Sequence, residues 1–176
     1  MKSNRTLKSA LALIVSMLLA IGYMPLAASA ETNTLPSNAT MAVLQAAINS
    51  AASGDIIQIS NNIDFTDYVN IPAGKTITIE SSSGTIRTLK ETGSSRSHFW
   101  VYGTLILKNI TIDGNKTVGR IWVGSTGKLT MEAGATIQNC NGGVYLDSGA
   151  YKTGRPNKNG QYLLRLVQRQ RSQYRL

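Results

Sequence analysis

The chain has 176 residues and a formal net charge of +9. The surplus sits at its two ends: Lys2, Arg5 and Lys8 come first, and Lys152, Arg155, Lys158, Arg165, Arg169, Arg171 and Arg175 come last. All nine acids lie between Glu31 and Ala150 against eight Lys and Arg, a balance of −1, so the central segment lacks the electrostatic footprint of a nucleic-acid binder, and the single cysteine, Cys140, excludes an internal disulfide.

Residues 1–30 have the three-part layout of a secretory signal. Lys2, Arg5 and Lys8 form the positive start and residues 10–21 the apolar core. Pro25 breaks the run, and Ala28-Ser29-Ala30 supplies the small residues that a signal peptidase reads. The core is about a dozen residues, short of the ~20 of a membrane-spanning helix. Cleavage after Ala30 would therefore leave no membrane span and a secreted or cell wall-associated chain beginning at Glu31.

Residues 31–40 are polar, contain Pro36 and read as a flexible leader. Thr40 then stands where a helix N-cap would. Met41, Leu44, Ala47, Ile48 and Ala51 recur at three- and four-residue spacing and so share one face. With Gly54 at a C′ position, the spacing predicts an amphipathic helix over 41–52.

Beyond Gly54 the period changes from helical to extended. Ile57 and Ile59, Ile63 and Phe65, Val69 and Ile71, and Ile77 and Ile79 alternate with polar residues. Ile86 and Leu89, Phe99 and Val101, Leu105 and Leu107, and Ile110 and Ile112 follow. Ile121 and Val123, Leu129 and Met131, Ile137, then Val144 and Leu146 complete the series. These are short strands with one apolar face, separated by Gly, Asn, Asp and Ser turns.

The segments also repeat. Gly74-Lys75-Thr76-Ile77-Thr78-Ile79, Gly103-Thr104-Leu105-Ile106-Leu107-Lys108 and Gly127-Lys128-Leu129-Thr130-Met131-Glu132 share one pattern at spacings of 29 and 24 residues. Asn109-Ile110-Thr111-Ile112 matches Ala135-Thr136-Ile137-Gln138 as the strand that follows. Such a period marks a solenoid. Two or three short strands per period, with no helical stretch, are what one coil of a parallel β-helix needs. The fold expected is all-β, a right-handed parallel β-helix of about four to five coils over 41–150, its first coil covered by the amphipathic helix as solenoid caps do. Ile77, Ile79, Leu105, Leu107, Ile110, Ile112, Leu129, Met131 and Ile137 are expected to point inward.

The stretch from Leu44 to Ile59, LQAAINSAASGDIIQI, resembles the N-terminal cap of pectin-lyase-like β-helix proteins. The phrases Gly103 to Asn115, Gly134 to Asn139, and Gly142-Gly143-Val144-Tyr145 are similar to repetitive surface and adhesin-like proteins of Gram-positive bacteria. The resemblance covers residues 40–150. It implies the β-helix and leaves function open, since that superfamily holds lyases, hydrolases and non-catalytic adhesins.

A lyase-like site needs clustered carboxylates for calcium and a nearby basic group. The acids Asp64, Asp67, Asp113 and Asp147 and the bases Arg87, Arg96 and Arg120 match no catalytic motif, and Asp113-Gly114-Asn115 reads as a turn rather than a calcium loop. His98, the only histidine, makes no zinc site alone; with Phe99, Trp100 and Tyr102 it reads as a surface aromatic group. Neither a metal nor a cofactor is expected, and no catalytic residue is assigned. Trp100, Tyr102 and Trp122 are the candidate glycan-stacking residues. Cys140 reads as a small buried side chain.

From Tyr151 the alternation stops, and residues 151–176 are rich in Arg, Gln and Leu without an acid. They read as a basic disordered tail or surface helix, or as the product of a shifted reading frame that truncates a longer β-helix. On the last reading the open C-terminal coil would drive self-association. Two functions are weighed. The favoured one is a non-catalytic, adhesin-like surface domain that binds a cell-surface or extracellular polysaccharide. The alternative is the N-terminal remnant of a polysaccharide lyase or glycoside hydrolase. Carboxylates repeated on one face of consecutive coils would favour the enzyme, and aromatic or Thr/Asn ladders the binder.

Overall fold

The computed structural model describes residues 29–82, 84–93, 97–116, 120–140 and 142–148, and the backbone of 151–154. The expected signal segment up to residue 28, Arg96, and the tail beyond 154 lie outside the described residues.

The described chain is a parallel β-solenoid of about four turns with one short helix. Strand β1 (Thr32–Thr34) and helix α1 (Met41–Ser50) come first. The first turn follows as β2 (Ile56–Ile59), β3 (Ile63–Phe65) and β4 (Val69–Ile71). The second is β5 (Thr76–Ser81), β6 (Arg87–Glu91) and β7 (Phe99–Val101), and the third β8 (Thr104–Lys108), β9 (Ile110–Asp113) and β10 (Arg120–Val123). The fourth is β11 (Lys128–Met131), β12 (Thr136–Gln138) and β13 (Gly143–Leu146), after which β14 (Tyr151–Gly154) opens a fifth. The strands stack into three sheets: β1-β2-β5-β8-β11-β14 (sheet I), β3-β6-β9-β12 (sheet II) and β4-β7-β10-β13 (sheet III). Every pairing is parallel.

Register explains the alternation. In sheet I, Ile57, Ile79, Leu107 and Met131 form one inward column, and Ile77, Leu105 and Leu129 another. Ile63, Leu89, Ile112 and Ile137 stack in sheet II, and Val69, Phe99, Ile121 and Val144 in sheet III. Of the nine residues expected inward, seven are fully buried. Met131 and Ile137, on the fourth turn, are only partly buried, because little of the described chain stacks on that side of them. The sequence match of residues 109–112 with 135–138 is one residue out: the ladder pairs Thr111 with Thr136 and Ile112 with Ile137. A slip of one would set Ile110 against Thr136 and turn the apolar face outward. Ile86 is also not a strand residue; it lies before β6 and is exposed.

The glycines before β8 and β11, Gly103 and Gly127, have a packing cause. A Cβ on Gly103 would overlap the carbonyl oxygens of Pro72 and Lys75 from the turn before. Only glycine lets successive corners approach that closely.

The first turn is covered on each side. Leu44, Ala47 and Ile48 of α1 are buried over it. Gln45 completes the edge of sheet III: its Oε1 accepts from the Asn70 N–H at 2.6 Å and its Nε2 donates to the Asn70 carbonyl at 3.1 Å. One side chain thereby replaces the missing neighbouring strand. Thr40 caps α1 through its hydroxyl, which accepts from Val43 N, and Lys75 Nζ donates to the carbonyls of Ile48 and Asn49 at its C-terminus. The helix ends at Ser50, two residues short of the expected 52, and Gly54 is not its C′ residue. Ala51 is extended and the Asp55 carboxylate holds Ala52 N at 2.7 Å, which draws the chain off the helical path.

Residues 31–40 are not a flexible leader. β1 pairs with β2 from Thr32 to Thr34, and Leu35 and Ala39 are buried, because β1 supplies the hydrogen bonds that the open edge of sheet I requires. At the other end, the backbone of β14 pairs with β11 in register, although the apolar alternation has stopped there.

Gln45→Leu should lower stability by about 1 kcal/mol, since it leaves the half-buried Asn70 N–H and C=O without their side-chain partner. Urea unfolding of the variant against the parent checks this; unchanged stability would remove Gln45 from the cap.

Candidate functional site

Sheet III aligns its outward residues in one column: Asn70, Trp100, Trp122 and Tyr145 occupy the same register position on β4, β7, β10 and β13. Adjacent strands lie about 4.8 Å apart, so these side chains stand next to one another. Trp100 and Trp122 have ring centroids 5.9 Å apart at 56°. Two rings flank the column. Tyr68 stacks on Trp100 at 4.0 Å and 9°, and Tyr102 meets Trp122 edge-on at 5.3 Å. Arg120 lies over the Tyr145 ring at 5.2 Å. Gly124 makes room for the rings, since a Cβ there would press on Trp122 and Tyr102.

All three sequence candidates, Trp100, Tyr102 and Trp122, therefore converge on one face. Tyr68 and Tyr145 belong with them and were missed. Tyr145 was within reach, because aligning Val144 with Ile121 and Phe99 places it after Trp100 and Trp122. Tyr68 has no equivalent in the other turns and gave no signal. Six large apolar side chains stay exposed among the described residues, and four of them, Tyr68, Trp100, Tyr102 and Tyr145, are here. Such a concentration is a patch rather than scattered exposure. A groove of about 410 Å³ adjoins it at the corner towards sheet I, lined by Tyr102, Lys75, Thr76, Thr104 and Thr126.

The acids do not gather. Asp64 and Asp113 share a column of sheet II but Lys90 stands between them. Asp67 and Asp147 cap their own turns through Tyr68 N and Ser148 N. Asp113 accepts from Asn115 N, Gln138 and Asn139, and against the opposing effect of burial these bonds hold its carboxyl below the usual range. The segment 113–115 is thus a hydrogen-bonded turn. Among the described residues, no three of His, Cys, Asp and Glu lie together as metal ligands would. Arg87 and Arg120 are half-buried, the latter against Tyr145.

His98 and Phe99 are not part of the exposed group. Both are fully buried. His98 packs against Phe65, its Nε2 faces the Asp113 carbonyl at 3.1 Å and its Nδ1 has no hydrogen-bond partner among the described residues. Burial pushes its pKa down to about 4. Cys140 is partly exposed, and burial pushes its thiol up to about 11, the opposite of an activated nucleophile.

No protein-family model, curated protein or solved structure matches the chain.

The folded state favours neutral His98, so its contribution to stability is full above the unfolded value of ~6.5. That contribution falls away as pH drops towards 4. The loss is about 3 kcal/mol over that window. Proton titration of the imidazole by NMR, with urea unfolding at pH 7 and 4.5, checks this. A ring titrating near 6.5 would contradict the buried neutral assignment.

Proposed function

We propose that this is a secreted, non-catalytic β-solenoid domain of the pectin-lyase-like, adhesin-like kind, whose aromatic face on sheet III binds an extracellular polysaccharide. The observation that carries the reading is the in-register column Trp100, Trp122 and Tyr145 with Tyr68 and Tyr102 beside it. Rings with an apolar body and a polar tip suit a ligand that is apolar on one side and hydroxylated on its rim. Repetition along the solenoid axis suits a ligand that is itself repetitive. The adjoining groove adds Thr76, Thr104 and Thr126. The dispersal of the acids speaks against the lyase or hydrolase alternative, and the signal layout of residues 1–30 supports secretion. No helix among the described residues is long and apolar enough to cross a membrane. Ile137 and Leu146, partly buried on the fourth turn, support a second copy as partner at that end.

Affinity electrophoresis in gels containing neutral or uronate-bearing polysaccharides, read alongside tryptophan fluorescence, tests the proposal. At least one polymer should retard the protein and change its emission. Trp100→Ala and Trp122→Ala should each weaken binding about tenfold while circular dichroism shows the fold kept. Failure to bind any polymer would sink the reading. Release of reducing ends or unsaturated sugars above a blank would establish the enzyme alternative instead.

A further inference from the structure

Asp55 lies where α1, β1 and β2 meet, and it is 8% exposed. Both its carboxylate oxygens are engaged. Oδ1 accepts from the backbone nitrogen of Glu31 at 3.0 Å, and Oδ2 from that of Ala52 at 2.7 Å. The Glu31 nitrogen is held in place independently of Asp55. The carbonyl of the same residue accepts from Ile56 N at 2.8 Å, and the β1–β2 ladder begins at the next residue with Thr32 opposite Ile56. Ser29 and Ala30, just outside this junction, are exposed. The nitrogen facing Asp55 is thus the one that cleavage after Ala30 would free.

We infer that Glu31 is a processing-dependent terminus: removal of residues 1–30 creates an α-ammonium group that Asp55 captures as an ion pair, which locks β1 and the cap onto the first turn. The inference rests on the secretory reading for the position of the cut. Hydrolysis of the Ala30–Glu31 amide by water leaves a carboxylate on Ala30 and an amine on Glu31, and the amine takes up a proton. Before the cut, a neutral N–H donates to Asp55. After it, the same atom carries a full positive charge at the same place, and charge-assisted hydrogen bonds are roughly twice as strong as neutral ones. Of the two partners Asp55 is the shielded one, since Glu31 itself is exposed.

Few other charges face this nitrogen. Strands β1 and β2 and helix α1 carry none. On β5, Glu80 is bound to Gln58 and Lys108 at the far end of the strand. The remaining groups are the side chain of Glu31 itself and Lys75, whose Nζ is occupied by the helix C-terminus.

The test compares two chains released from an N-terminal carrier by a site-specific protease, one beginning at Glu31 and one at Ser29. Everything from β1 to β14 lies within both. At pH 6 the Glu31 chain should melt about 2–8 °C higher. A paired amine has a raised pKa, so the advantage is complete below the ordinary ~7.7–8.0 and disappears as pH rises through the raised value. Asp55→Asn should abolish the difference. Should that variant not fold, NMR titration of the α-amine in the parent decides alone: a pKa above 8 supports capture, and the ordinary value overturns it. Equal melting of the two chains at pH 6 also overturns it. Amino-terminal sequencing of the secreted full-length chain reads the cut separately. A mature terminus other than Glu31 overturns the inference through its premise, whereas a Glu31 terminus with equal melting overturns the capture alone.

Discussion

Each turn of this chain satisfies its backbone hydrogen bonds only through the turn before it and the turn after it. Apart from β1 with β2, no strand among the described residues pairs with the next strand in sequence; β5 pairs with β2 and β8, β6 with β3 and β9, β7 with β4 and β10. The pairing is therefore long-range throughout, and the first turn by itself would present three unpaired edges. Much of what is irregular in the described chain answers that constraint. β1 closes sheet I, and Gln45 imitates a strand for sheet III. Asn61 donates to the Ala39 carbonyl where the chain enters the cap. Helix α1 is a lid whose placement is fixed less by its own propensity than by Thr40 at its start and Lys75 at its end.

Stacking in register has a second consequence, outside the barrel of apolar columns. Outward side chains at one register position are held a strand spacing apart whether or not they attract one another. Favourable neighbours therefore accumulate into ladders. Sheet I carries Thr34, Gln58, Glu80 and Lys108 in one such column, joined by contacts of 2.9 Å. Sheet II sets Thr88, Thr111 and Thr136 in another. Sheet III carries the aromatic column. The same geometry demands Gly where corners nest, so Gly103 and Gly127 recur for steric reasons while Gly74 and Gly134, at positive φ, serve the turns.

The apolar alternation made the strands and their inward residues legible from sequence, because a period of two leaves little choice of face once Ile, Leu and Val recur in it. The cap was legible for the same reason at helical period. What escaped was everything set by partners distant in sequence. The leader looked polar because β1 turns Thr32, Asn33 and Thr34 towards solvent and needs only backbone pairing. The helix stop lay with Asp55, several residues downstream. His98 looked like a member of an exposed aromatic run, yet it and Phe99 both point inward where the chain turns the corner into β7. Glu91 was equally hidden: its register partner is Phe65, so a carboxyl fills an inward position. It is fully buried, burial raises its pKa, and the Gly93 N–H partly satisfies it. A charge-bearing residue on an otherwise apolar column cannot be located without the register.

The same register logic separates the three outer faces by what they leave unsatisfied. The sheet I ladder is closed on itself: Gln58 spans Thr34 and Glu80, and Lys108 neutralises Glu80, so a ligand would have to displace bonds already made. In sheet II, Gln138 and Asn139 are spent on Asp113, and a ligand would again compete with the protein. Sheet III differs in kind. Its rings gain from one another by stacking, which consumes faces but neither ring edges nor the hydroxyls of Tyr68, Tyr102 and Tyr145, and those hydroxyls have no hydrogen-bond partner among the described residues. Burial of the exposed ring surface would be gained without breaking an internal bond, and the hydroxyls would meet a polar rim rather than lose one. The rings are moreover pre-ordered by their neighbours and by the strands beneath them, so little side-chain entropy remains to be lost on binding. Among the outer faces of the described residues, this one is apolar in its body and polar at its tips, so association there would add contacts without first removing any.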